Sequence, residues 1–226
     1  MAELFSEFDI LGAFWMTIKL TLSSGVGAFL IGTVIAIMRV APSGFVRALG
    51  SFYVNTIRNT PLTLVAVFCT LGLKVNMDIQ LADPNSPTSI ADTNFRWGVI
   101  ALAVYHAAFV CESIRSGINT IPIGQAEASR SIGLSFGQSL RYVLIPQALR
   151  GAIAPLGNTV IALTKNTTIV SAIGVAEVSL LMGTMIENRP DLLFTIFGVV
   201  ALGFVVLTLP MGLLATSLSK RLAVKR

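Results

Sequence analysis

Charge is scarce in this chain. Of its 226 residues only 12% are Asp, Glu, Lys or Arg, about half the share in an ordinary water-soluble domain. Hydrophobic residues make up 54% and the mean hydropathy is +0.80. That deficit, with several long apolar runs, excludes a typical soluble domain and indicates one polytopic membrane domain. Cysteine is scarce too. Cys69 and Cys111 both lie inside apolar runs, where a free thiol behaves as a small hydrophobe, so neither a disulfide nor a cysteine metal site is expected. His106 is the single histidine, and a serine–histidine mechanism would rest on it alone. There is no nucleophile-elbow pattern, no H-E-x-x-H and no carboxylate cluster, which argues against an intramembrane enzyme. The glycine-rich G-x-x-x-x-G-K-[ST] phosphate loop is also missing, so any drive from ATP must come from a partner. The net charge of +5 is spread along the chain rather than gathered on an aromatic-bearing face, and no nucleic-acid partner is expected. The start, MAELFSEFDI, lacks the basic residues of a signal peptide, so the first apolar segment is expected to be retained.

What is present is a series of runs near the ~20 apolar residues a bilayer crossing needs. The first covers residues 14–38, with Lys19 placed to snorkel and Ser, Gly and Thr residues suited to close helix packing. The second, 60–79, is short beyond Leu73 and needs Lys74 to Ile79 or a tilt to cross. The third covers 97–114 and the last 192–218, where Pro210 should kink the helix. The stretch from Gly151 to Ile186 is apolar but broken by LTKNTT at 163–168. One span over 151–171 followed by a short surface or re-entrant helix gives five crossings; two spans would give six.

Charge placement favours five. With the N-terminus outside and the C-terminus inside, the inner segments hold Arg39, Arg47, Arg58, Arg115, Arg130, Arg141, Arg150, Lys220, Arg221, Lys225 and Arg226, and the outer segments only Lys74, Arg96 and Arg189. This follows the positive-inside rule, whereas six crossings would separate the basic loop at 115–150 from the basic tail. The outer segments collect Glu3, Glu7, Asp9, Asp78, Asp83, Asp92, Glu177, Glu187 and Asp191. The expected fold is therefore an all-α bundle of about five transmembrane helices.

Between the third and fourth runs lies QAEASRSIGLSFGQSLRYVLIPQALR, residues 125–150, too polar to cross a membrane. It reads as a helix over Glu127–Ile132, a break at Gly133, and a second helix over Ser135–Leu144. Ser135 is placed to cap that helix and Pro146 to end it. Ile132, Leu134, Phe136, Leu140, Val143 and Leu144 could fill a groove on another protein or rest on anionic lipid, and composition leaves both open.

The spacing of Glu127, Ala128, Ser129, Gly133, Val143, Ile145 and Pro146 resembles the EAA signature of permease subunits of ABC importers. Ser129 stands where a second alanine is usual. IRNTPLTL at 57–64 resembles the family's R-G-T-P-L motif, with Asn59 in place of glycine. The segments 112–135 and 145–178 are similar to polar amino-acid permeases of the histidine and glutamine type. The likeness covers about residues 10–220 and is nearest to a glutamate-uptake permease that pairs with a different permease.

That resemblance implies a type I importer permease in a bacterial cytoplasmic membrane, with loop 120–147 as a coupling helix docked into a cytoplasmic ATPase dimer. Glu127 would supply a charged contact, Ala128 and Ser129 close approach, Gly133 the bend, and Pro146 the end of the motif. The implied partners are that ATPase, which would bind ATP and magnesium, a second permease subunit (a heterodimer over a homodimer), an extracytoplasmic amino-acid-binding protein and membrane lipid. No cofactor is implied in this chain itself.

Ionisable groups inside spans are costly and mark candidate pathways. Lys165, with Asn166, Thr167 and Thr168, is expected near the pore, where a broken helix would expose polar backbone to an amino-acid carboxylate. The alternatives for Lys165 are a structural pair with Glu112 or Glu177, or snorkelling outward. Glu112 and Arg115 form an i,i+3 pair that gates or anchors the third span. Arg58 marks a membrane boundary or a gate. His106 reads as a satisfied packing residue. A carrier working without an ATPase would use Glu112, His106 and Lys165 as a relay, but no repeated pair of broken helices supports it. A structural membrane subunit is separated from the importer only by the EAA spacing.

Overall fold

The computed structural model describes residues 2–222. Lys225 and Arg226, assigned above to the inner face, lie outside the described residues, as does the side chain of Glu3. All regular structure among the described residues is helical. In chain order it runs α1 (Ala2–Glu7), α2 (Ile10–Val40), α3 (Gly44–Arg58), α4 (Leu62–Val67), α5 (Ser89–Ile118), α6 (Ile123–Ser131), α7 (Phe136–Ser139), α8 (Ile145–Asn166), α9 (Val178–Asn188) and α10 (Leu193–Leu222). Two π segments, Phe68–Val75 after α4 and Leu140–Leu144 before α8, and two 3-10 segments, Thr167–Ile173 after α8 and Pro190–Leu192 before α10, join several of these end to end.

By length and apolarity α2, α5 and α10 can each cross a bilayer, and two bent pairs bring the total to five if each counts as one span. The pairs are Gly44–Arg58 with Leu62–Val75, bent by 104°, and Phe136–Ile173 with Val178–Asn188, bent by 59°. The second run is thus organised differently from its expected limits of 60–79. Its helix ends at Val75, a length of about 21 Å at 1.5 Å per residue, short of the ~30 Å hydrocarbon core. Upstream of it lies α3, an amphipathic helix with Gly50 and Val54 buried on one side, turned by 104° from the helix that follows. LTKNTT does not break the fourth run. The helix tightens from α to 3-10 at Thr167, and the bend falls at Gly174 (φ 77°) and the residues after it.

The core forms where α2 lies along α5. Asp9 caps α2 by accepting from the Gly12 N–H at 2.9 Å. Thr17, Thr21 and Ser24 are buried, yet each hydroxyl donates to the carbonyl four residues back, at 3.2, 2.9 and 2.6 Å. Small hydroxyl residues can therefore pack against α5 with no orphaned polar atom. At Gly32 a Cβ would sit 2.7 Å from the Ala107 carbonyl, so only glycine permits the approach. A second group of buried side chains, Leu62, Ala66, Cys69, Trp97, Val170 and Ile173, joins α4 and the neighbouring π segment to α5 and the 3-10 segment.

Pro146 does not end the loop helix. It lies in the first turn of α8 and the chain stays helical from Phe136 to Ile173. Proline lacks an N–H and crowds the preceding turn, and the wide π turn over Leu140–Leu144 gives it room.

Candidate functional site

The loop between α5 and α8 is built from two local devices. α6 begins after Pro122, earlier than the expected Glu127, and ends in a Schellman motif. The Gly133 N–H donates to the Arg130 carbonyl at 3.0 Å and the Leu134 N–H to the Ser129 carbonyl at 3.1 Å, with Gly133 at φ 85°. This reversal needs a left-handed residue, which is why glycine serves. Ser135 and Gln138 then form a capping box that starts α7, with Ser135 Oγ 3.4 Å from the Gln138 N–H it accepts and Gln138 Oε1 2.8 Å from the Ser135 N–H. The expected cap at Ser135 is present.

These turns sort the loop residues by exposure. Ser129 is buried, donating to the Ala126 carbonyl at 2.8 Å, and its Oγ lies 2.9 Å from Ser139 Oγ. Glu127 and Ala128 face outward, flanked by Ile123 and Ile132, which are 78% and 76% exposed. The outer side of α6 thus presents a carboxylate and a small residue between two bare isoleucines. Below the loop its two stalks touch. A Cβ on Gly117 of α5 would lie 2.1 Å from the Ala148 carbonyl of α8.

At the same end of the bundle, Glu112 accepts from the Arg39 guanidinium and from Arg115 at 3.3 Å. The i,i+3 pair read from the sequence is therefore part of a three-residue bridge that ties α2 to α5. Arg58 lies over the Phe109 ring, 5.6 Å from its centroid, and so rests against the same helix. A buried charge needs a partner to offset its lost hydration, and Arg39, 13% exposed in its side chain, has one.

Further along the bundle, a cavity of about 280 Å³ opens between α5 and α8, lined by Tyr105, His106, Phe109, Asn158, Thr159, Ala162 and Asn166. His106 is buried, with Nδ1 2.9 Å from the Leu102 carbonyl and Nε2 3.1 Å from Asn166 Nδ2. The pattern suits a neutral ring that donates from Nδ1 and accepts at Nε2. His106 is thus a satisfied packing residue and also part of a polar wall. Ser113 Oγ and Thr159 Oγ1 are 3.1 Å apart just beyond it.

The residues singled out at 165–168 divide. Asn166 reaches the cavity. Lys165 is exposed and pairs with neither Glu112 nor Glu177. Glu112 is taken by the two arginines. Glu177 is fully buried and caps α9 through the Ser179 and Leu180 N–H groups at 2.9 and 3.0 Å. Thr167 is buried and donates to the Thr164 carbonyl, and Thr168 donates to the Lys165 carbonyl. Asn158 and Thr159 were missed by the sequence reading. The signal that could have found Asn158 is its spacing, because Ala154, Asn158, Ala162 and Lys165 recur along one face of α8 and all are exposed.

An all-helical bundle of membrane-crossing length, carrying an EAA loop on two stalks and a small cavity between the same two helices, defines the membrane subunit of a transport system. The chain belongs to the family of binding-protein-dependent transport system inner membrane components, which matches residues 8–224. It is 55% identical over 218 residues, 96% of each chain, to the glutamate transport system permease protein GluC of Corynebacterium glutamicum. It is 53% identical over the same share to the protein of that name from Corynebacterium efficiens. Among solved structures, a crystal structure of an amino acid ABC transporter with histidines superposes with a TM-score of 0.78 at 32% identity, covering 94% of this chain and 93% of that one. The resemblance read from the loop spacing is therefore upheld, and the fold is that of a type I ABC importer permease. Asn59, the departure in the R-G-T-P-L segment, ends α3 at φ −94° and bonds the Asn55 carbonyl, a conformation that does not require glycine.

Proposed function

We propose that this chain is the permease subunit of an ATP-driven importer that carries glutamate inward across a bacterial cytoplasmic membrane. Loop 120–147 is the coupling element, with Glu127, Ala128 and Ile132 set into a groove of a separate ATPase and Ser129, Gly133 and Pro146 maintaining its shape. The observation that carries this reading is the loop itself, a rigid two-helix surface held on stalks that meet at Gly117. Movement of the loop is passed directly to α5 and α8, the helices that wall the cavity holding His106, Asn158 and Asn166. The substrate class follows from the names of the relatives.

The pathway runs along the exposed face of α8, past Asn158 and Asn166 to Lys165, where a polar stripe would be costly against lipid. A second permease, different from this one, covers that face, and a binding protein delivers substrate on the side opposite the loop. The distribution of bases supports an outer N-terminus and an inner C-terminus. This chain needs no cofactor of its own; ATP and magnesium belong to the ATPase.

The test is uptake of labelled glutamate into proteoliposomes holding the complex purified through a tag on this chain. Uptake that needs the binding protein and ATP, with an ATPase and a second permease in the preparation, supports the proposal. Glutamate uptake driven by an ion gradient with no ATPase present would overturn it.

A further inference from the structure

At the end of the bundle opposite the loop, the π segment that extends α4 meets the 3-10 segment that extends the pathway helix α8. The π segment Phe68–Val75 and the 3-10 segment Thr167–Ile173 pack together against α5, with Cys69, Trp97, Val170 and Ile173 buried between them. Neither segment has regular α hydrogen bonding, and such stretches inside helices mark places where a helix changes length or direction. Each leads into a turn, the first at Asn76 and the second at left-handed Gly174.

One side chain of α5 ties both. Asn94 accepts from Lys74 Nζ at 2.6 Å and donates from Nδ2 to the Gly174 carbonyl at 3.4 Å. Asn94 is only 9% exposed and lies within α5. One turn on, Val170 and Val175 pack beside Gly98, 3.4 Å from where a Cβ would stand and so in ordinary van der Waals contact. Two buried polar atoms beside this tie, Thr93 Oγ1 and Trp97 Nε1, have no hydrogen-bond partner among the described residues. A buried unpaired donor is costly, so this closed arrangement retains two groups that a shifted packing or admitted water would satisfy.

We infer that Asn94 is a latch: it holds the π segment and the 3-10 bend shut over the end of the pathway away from the loop, and its release opens that end. Lys74 and the Gly174 carbonyl are the two arms. The latch rests on the importer reading above and adds a residue-level account of how the far end closes.

Cys69 reports on it directly. It lies in the π segment, 6% exposed, and Cys111 is the other cysteine of the chain. The parent for the test is Cys111→Ser, or Cys111→Ala where serine fails to assemble, in the complete transporter in proteoliposomes. A membrane-impermeant maleimide is added to the nucleotide-free transporter. In the nucleotide-free state the parent thiol should react slowly, and Asn94→Ala should react on the order of tenfold faster. Asn94→Asp keeps an acceptor for Lys74 but loses the donor to Gly174, and should label like Asn94→Ala.

Equal slow labelling of parent and Asn94→Ala would overturn the latch. So would Asn94→Asp labelling like the parent, since the Gly174 arm would then be unnecessary. Should Asn94→Ala not assemble, Lys74→Met removes one arm from a half-exposed side chain and carries the same test. ATP-driven glutamate uptake by the parent is scored separately, so failure of the importer reading and failure of the latch give different results.

Discussion

Ser129 Oγ lies 2.9 Å from Ser139 Oγ, joining the first helix of loop 120–147 to the second across the Gly133 turn. Read in sequence, Ser129 is a mild departure from a motif that favours alanine. In the fold its hydroxyl is a clasp, buried and also bonded to the Ala126 carbonyl. Ser129→Ala should leave Ser139 with one partner fewer and destabilise the loop by about 1 kcal/mol, with a modest fall in uptake. Ser129→Leu has no room at a 3% exposed site and should separate ATP hydrolysis from transport. The measurement is the ratio of ATP hydrolysed to glutamate moved; a ratio unchanged in the leucine variant would contradict the clasp.

Gly133 poses a different constraint. Nothing stands within 4 Å of where its Cβ would be, yet its φ is +85°. The objection to a larger residue is therefore in the backbone, at about 1–2 kcal/mol, and not in a clash. Gly133→Asn, which tolerates the left-handed region, should keep most coupling, whereas Gly133→Val should lose most of it. If asparagine and valine were equally damaging, side-chain volume at the partner surface would be the explanation instead.

Local features such as these were largely legible in the sequence, because they depend on residues within one turn of each other. The Ser135 cap, the Gly133 break and the Glu112–Arg115 pair all belong to this group. What the sequence did not disclose depends on distant partners. Arg39 and Glu112 are 73 positions apart and His106 and Asn166 are 60 apart, and no periodicity links them. The same applies to the π and 3-10 segments. Phe68–Val75 carries no residue pattern that marks a π turn, and the partners it packs against, on α5 and the 3-10 segment, are distant in sequence. Pro146 was read as a stop because proline usually is one, and the π turn that accommodates it has no sequence signature.

Arg189 sits between Glu7 and Asp191, bonding the first at 3.1 Å and the second at 3.3 Å. It thus ties α1 to the turn before α10. The hydrogen bond from Arg189 holds the Asp191 carboxyl below its ordinary value of 3.8. A carboxylate with a depressed folded value stabilises the fold fully above its unfolded value and loses that contribution as pH falls through the folded one. The Arg189–Asp191 pair should therefore be intact from neutral pH down to about 4 and be lost only in stronger acid. Limited proteolysis in the turn around Asp191 as a function of pH checks this. Arg189→Gln should be cleaved more readily at neutral pH and show little further change on acidification. Because the cluster is exposed, salt should weaken it as well.

Gly117 allows the sharpest prediction, since it sits where α5 and α8 meet below loop 120–147. A methyl there would come within 2.1 Å of the Ala148 carbonyl and 2.9 Å of the Ala152 nitrogen, both backbone atoms that no rotamer change can move. Gly117→Ala must therefore push α5 and α8 apart, at about 1–3 kcal/mol or more for overpacking a tight contact. Gly124, in the first helix of the loop, is the control, because nothing stands within 4 Å of its Cβ position. Gly124→Ala should stabilise that helix by about 0.5–1 kcal/mol, the usual advantage of alanine over glycine. Melting temperature and coupled uptake of the two variants should thus move in opposite senses or differ widely. If Gly117→Ala melted and transported like the parent, the stalks would not be in contact in the working transporter, and the loop would have to signal to the cavity by another route.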